Sequence, residues 1–138
     1  MMQEPRQRVV KPIKGIKMLL KKLHRDGRDI ALATGSGLAS AERVLGILEI
    51  RDYFKVLVTA DDVTNGKPDP EVYLKTAHKL GRDPSECVVV EDARNGMLAA
   101  KLAGMTCIGL VSENFARENY PADLFVHSLD ELTLASFN

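Results

Sequence analysis

Two carboxylates, Glu91 and Asp92, follow directly on three valines in the stretch VVVEDARNG, residues 88–96. Adjacent carboxylates at the mouth of a buried strand are hard oxygen ligands. They suit Mg²⁺, which keeps several waters and takes one or two carboxylates plus substrate phosphate. The same pair also serves as an acidic cap on the positive end of a helix. Lys67 lies in NGKPDP, where Gly66 and Pro68 fix a turn. An ammonium projected from such a loop can neutralise a phosphate or an anionic nucleophile. A solvated loop lysine has the same local sequence. Thr34 and Gly35 follow an apolar run in ALATGSG. A hydroxyl and free backbone N–H groups at a helix entrance can cradle phosphate. An ordinary cap, Ser36 or Ser40 starting the next helix, explains the stretch as well. The glycines are not a dinucleotide fingerprint, because Ser40 stands where G-x-G-x-x-G needs its last glycine.

The elements that must position these residues alternate helix and strand. In IKGIKMLLKKLHRDG, Ile16, Leu19, Leu20 and Leu23 recur at helical spacing, and Lys14, Lys17, Lys21 and Lys22 make the solvated face. Gly27 is a helix stop. Residues 29–33 read as a short buried strand and 38–48 as a helix with Ala41, Val44, Leu45 and Leu48 on its apolar side. FKVLVTAD is a second strand. Pro70 opens a third helix that runs through Tyr73, Ala77 and Leu80 to Gly81. ECVVVED is a third strand, NGMLAAKLAG a fourth helix, MTCIGLV a fourth strand and ADLFVHSL a short fifth. Continuous apolar strands separated by helices imply a mostly parallel sheet with helices on both faces, an α/β, Rossmann-like three-layer core. Ligands of such sheets bind beyond the carboxyl ends of the strands. Thr34–Gly35, the loop with Asp61, Asp62 and Lys67, and Glu91–Asp92 all fall at that edge. Structural roles are expected for Asp61 and Asp62, and His24, His78 and His127 are expected to be structural or exposed.

The 138 residues are expected to form one domain, with 45% apolar residues for its core. Nineteen basic and nineteen acidic residues balance, which removes any bulk electrostatic case for nucleic acid or membrane. No run reaches membrane-span length, and MMQEPRQRVVKPIKG has no secretory apolar core. Cys87 and Cys107 have no metal-type neighbours and read as reduced core thiols of a cytoplasmic protein.

Together, Thr34 after a strand, GKPDPEVY with Lys67, and VVVEDARNGMLAAKLAGM resemble the haloacid dehalogenase superfamily of phosphotransferases. The order of these motifs, with the tail ADLFVHSLDEL, looks like the β-phosphoglucomutase and phosphoglycolate phosphatase branch, from about residue 12 to about residue 132. The resemblance implies that Thr34 and Gly35 bind the transferring phosphoryl group. It implies that Lys67 offsets the charge of nucleophile and phosphate, so that Thr34 and Lys67 count as catalytic. Glu91 and Asp92 would help hold Mg²⁺. The substrate would be phosphate or a phosphorylated small molecule. Ala93 departs from the branch, which has Ser or Thr there.

A larger departure concerns the family's first motif, D-x-D-x-T/V, whose first Asp attacks phosphorus and whose second handles the leaving-group proton. No Asp in this chain is followed by Asp two positions later. The expectation is therefore a core without its nucleophile, first strand and cap, and without turnover as this chain by itself. A phosphate- or partner-binding module, or a fragment of a complete phosphatase, are the alternatives. In the family the first strand lies between the strands bearing Thr34 and Glu91. Three things could fill its place: QRVV (residues 7–10), with Lys11 near the nucleophile position; a strand from a second copy or a complementing N-terminal fragment; or direct pairing of the neighbouring strands.

Overall fold

The computed structural model of the chain describes residues 13–138. Helix α1 (Ile16–Arg25) forms where the leucines recur every three to four residues, and it buries Leu19, Leu20 and Leu23. It is followed by β1 (Ala31–Ala33), α2 (Leu38–Leu48), β2 (Val56–Val58), α3 (Glu71–Leu80), β3 (Val88–Glu91), α4 (Arg94–Leu102), β4 (Thr106–Leu110) and β5 (Leu124–Val126). The expected alternation holds, with α2 at the bounds read from the sequence and the strands shorter than their apolar runs.

Every strand pair is parallel: β1 with β2, β3 with β4, and β4 with β5. Side chains alternate between two helical layers, as a period of two requires. Ala33, Val58, Val89 and Cys107 face a cluster built with Tyr73 and Ala77 of α3 and Met97 and Ala100 of α4. Val88, Val90 and Ile108 face Leu19 and Leu23 of α1. Leu32 and Leu57 face Leu20 of α1 and Leu45 of α2. The result is the three-layer core that the apolar strands imply, with α1 and α2 on one side and α3 and α4 on the other.

The strands fall into two hydrogen-bonded groups, β1–β2 and β3–β4–β5. Among the described residues β1 and β3 do not pair with each other, so direct closure of the sheet, one of the three expectations, is not what the chain does. The two groups nonetheless share helices, because α1 and α3 each meet side chains from both. QRVV and Lys11 lie outside the described residues.

All four helices close in the same way. A residue in left-handed conformation donates its N–H to the carbonyl three back, and the next N–H reaches the carbonyl five back, as in Gly27→His24 and Arg28→Leu23. Gly27, Gly81 and Gly104 fill this position in α1, α3 and α4, and Glu49 fills it in α2 at φ 57°. A side chain costs about 1 kcal/mol in that conformation and glycine costs nothing there. Glu49→Gly is therefore expected to stabilise the chain by about 0.5–1 kcal/mol, read as a higher urea midpoint at unchanged slope. An unchanged or lower midpoint would mean that glycine's larger unfolded-state entropy wins.

Candidate active site

The loops after β1, β2 and β3 meet at the carboxyl edge of the strands. Glu91 ends β3 and turns inward, its side chain 10% exposed. Its carboxylate is saturated by protein donors. Oε2 accepts from the Tyr73 hydroxyl at 2.6 Å and from the Lys67 ammonium at 2.9 Å. Oε1 accepts from the backbone N–H groups of Asp92 (3.2 Å) and Ala93 (3.3 Å). Burial opposes the charge on Glu91, but the bonds from Tyr73 and Lys67, with the lysine's charge, outweigh it and hold the carboxyl below the ordinary glutamate range. Burial first, and then the Glu91 charge, push the Tyr73 phenol well above the usual tyrosine range, so its hydroxyl remains a donor.

Lys67 arrives from the turn closed by Asp69 N–H on the Gly66 carbonyl at 3.0 Å. Its ammonium also points at the Ala33 carbonyl, 3.5 Å away, and lies 5.1 Å from the centre of the Tyr73 ring. It thus bridges the ends of β1 and β3, the two strands that do not pair. An ammonium has three donors. Glu91 and Ala33 take two, and among the described residues the third has no acceptor.

Thr34 is half-buried directly after β1, and its Oγ1 accepts the Ser36 N–H at 3.1 Å. Its hydroxyl hydrogen remains available. Gly35 is exposed, and among the described residues nothing accepts from its N–H. The cap of α2 comes from neither Ser36 nor Ser40. Gly37 stands at the N-cap, and Asp61 reaches across from the loop after β2 to accept the Leu38 N–H at 2.8 Å. Asp62 accepts from the Thr59 N–H at 2.8 Å and fixes the turn that aims Asp61. Both aspartates are structural, as the sequence suggested, but Asp61 acts on a helix distant in sequence.

Asp92 is exposed, and its carboxylate takes no part in this network. Among the described residues no three of His, Cys, Asp and Glu gather in a metal-holding group. Both Glu91 oxygens are taken by protein donors, and the Asp92 carboxylate is the member of the acidic pair that remains open at this edge. Cys87 and Cys107 are free thiols, and burial pushes Cys107 up to about 12. No helix among the described residues is long and apolar enough to cross a membrane.

A lysine, a hydroxyl and open backbone donors at the carboxyl edge of a parallel sheet are groups that can donate to an anion. The model of the haloacid dehalogenase-like hydrolases matches residues 1–110. The chain belongs to this family. Hexitol phosphatase B of Escherichia coli K12 is 38% identical over 123 residues, 86% of this chain and 54% of that protein. β-Phosphoglucomutase of Bacillus subtilis is 36% identical over 120 residues, 87% of this chain and 51% of that protein. Among solved structures, CbbY of Rhodobacter sphaeroides in complex with phosphate matches at TM-score 0.82 and 30% identity, over 91% of this chain and 58% of that one. The chain thus spans about half the length of these relatives. With phosphoglycolate phosphatase of Salmonella paratyphi A also similar, at 40% identity over 88 residues, it falls in the branch that the motif order indicates.

The sequence points to Thr34, Gly35, Lys67, Glu91 and Asp92, and the fold brings their loops to one edge. It does not point to Tyr73 or Gly96. Tyr73 reads as an apolar position of α3, because helical spacing does not reveal what a phenol oxygen meets. Gly96 reads as an ordinary helix residue, yet a Cβ there would overlap Oε2 and Cδ of Glu91.

Proposed function

We propose that these 138 residues are the phosphate-holding part of a phosphomonoester-processing enzyme and that they turn over no substrate unaided. The observation that carries this reading is the Lys67 ammonium, clamped between Glu91 and the Ala33 carbonyl beside Thr34 and Gly35. Thr34 Oγ1–H, the Gly35 N–H and the third Lys67 donor would bind three oxygens of a phosphoryl group. Glu91 orients the lysine. Asp92 is the carboxylate left to meet Mg²⁺, whose remaining ligands must be phosphate, water and oxygens from outside the described residues. The substrate class is a phosphorylated sugar or polyol, the class named for hexitol phosphatase B and β-phosphoglucomutase. The cytoplasm is the compartment that fits such a substrate and two reduced thiols.

Turnover needs an attacking carboxylate, and the sequence holds no D-x-D. Losing a covalent nucleophile costs orders of magnitude in rate even when binding groups remain. The second reading, a core completed by a further strand from another segment or chain, is favoured by one observation. Among the described residues β1 and β3 each carry one hydrogen-bonding edge without a strand. Phosphate titration followed by ³¹P NMR tests the binding claim. The wild-type chain should bind inorganic phosphate, and Lys67→Ala should weaken binding about tenfold or more, the loss of one charge-assisted contact. Aryl phosphate hydrolysis with Mg²⁺ should stay at background in the wild type and in Asp92→Ala. Turnover near that of complete relatives, abolished by Asp92→Ala, would refute the inactivity.

A further inference from the structure

Lysine carries a point charge on a flexible four-carbon stem, so its position is set by what its nitrogen and methylenes touch. At this edge one residue touches both Lys67 and its anchor. The Tyr73 hydroxyl donates to Glu91 Oε2 at 2.6 Å, shorter than the lysine's own 2.9 Å bond to that oxygen. The face of its ring stands 5.1 Å from the same ammonium. Tyr73 is itself buried and packed on several sides. It lies in the first turn of α3, is 5% exposed, and packs in the cluster with Val58, Val89 and Cys107. Glu91 has no slack on its other side, since its Oε1 is held by two backbone N–H groups and its stem lies against Gly96.

We infer that the Tyr73 hydroxyl is a positioning group. By holding the Glu91 carboxylate in one orientation, it fixes where the Lys67 ammonium meets a phosphate. This deepens the phosphate-binding reading and rests on it for the identity of the ligand, but the claim about Lys67 itself does not need a ligand. Without the hydroxyl, Oε2 has one donor fewer and the carboxylate turns toward water. Lys67 then follows Glu91 or swings free over the gap between β1 and β3.

Tyr73→Phe removes the hydroxyl and keeps the ring, the packing and the helix. The measurement is the side-chain ¹H–¹⁵N spectrum of the lysine ammonium groups in the full chain at low temperature, with the Lys67 signal assigned by its disappearance in Lys67→Arg. The wild type should show a slowly exchanging Lys67 ammonium resonance. Tyr73→Phe should broaden or shift it while leaving the other lysines in place. Inorganic phosphate affinity should fall about tenfold, the effect of misplacing one charge-assisted bond. A Lys67 resonance unchanged in Tyr73→Phe overturns the inference, whether or not the melting temperature drops. A resonance that depends on Tyr73 in a chain that binds no phosphate would leave the positioning role standing and remove the phosphate reading. Phosphate binding that needs Lys67 but is indifferent to Tyr73→Phe would do the reverse.

Discussion

Glu91→Gln is expected to lower stability by about 3 kcal/mol at pH 7, a large part of the roughly 5–15 kcal/mol that holds a domain of this size together. The glutamine keeps the shape and loses the charge. Lys67, 21% exposed at its side chain, is left without its counter-ion, and the two N–H groups at Oε1 face an amide that satisfies them in one flip state only. Removing one member of a buried pair costs more than the pair is worth, because the other charge stays buried. The pH dependence separates this cause from simple mispacking. The folded-state pKa of Glu91 lies below the ordinary value of 4.5. A lowered carboxyl pKa contributes stability that is fully present above the unfolded value and is lost as pH falls through the folded one. The gap between wild type and Glu91→Gln should therefore be constant from neutral pH down to about 5 and narrow below that. Asp29 and Asp123 are shifted the same way, so the variant keeps a shallower acid limb of its own. Urea titrations at several pH values read both quantities. A gap that stays constant down to about pH 3 would assign the loss to shape and not to charge.

The legible part of this molecule was the part written in period and punctuation. Leucines every third or fourth residue gave α1, and glycines gave three of the four helix ends. Uninterrupted valine and isoleucine runs gave a parallel sheet buried on both faces, and hence the edge where a ligand belongs. Lys67, Thr34 and the acidic pair were legible as candidates because each sits at the end of a strand or in the loop that follows one. Their roles were less so. Glu91 and Asp92 look equivalent side by side, yet alternation along β3 sends the first inward to Lys67 and Tyr73 and leaves the second in water. The cap of α2 was illegible for a related reason. Its acceptor, Asp61, is 23 residues away and is aimed by a turn that binds Thr59. Glu49 at a position suited to glycine carried no signal, since only the dihedral angle reveals it.

Gly96→Ala tests this boundary between sequence and structure most sharply, because the two give opposite signs. By sequence it is a glycine in the first turns of a helix, and alanine should stabilise it by about 1 kcal/mol. In the structure the added Cβ would stand 2.5 Å from Glu91 Cγ and would overlap the carboxyl group beyond it. No small rotation of the carboxylate relieves a contact with the stem, so Glu91 must leave its rotamer and with it the bonds to Tyr73 and Lys67. The expected outcome is a net loss of about 2 kcal/mol, the cost of the broken network less the helix gain. A double-mutant cycle isolates the cause. Glu91→Ala removes the three atoms nearest to the new methyl group, and the same Gly96→Ala change should then stabilise the chain by about 0.5–1 kcal/mol. Chemical denaturation of the four proteins supplies the cycle. If Gly96→Ala destabilises by the same amount with and without Glu91, the glycine is kept small by some other neighbour. A sign that reverses places the close approach of α4 to Glu91 among the features that hold the lysine at the carboxyl edge of the sheet.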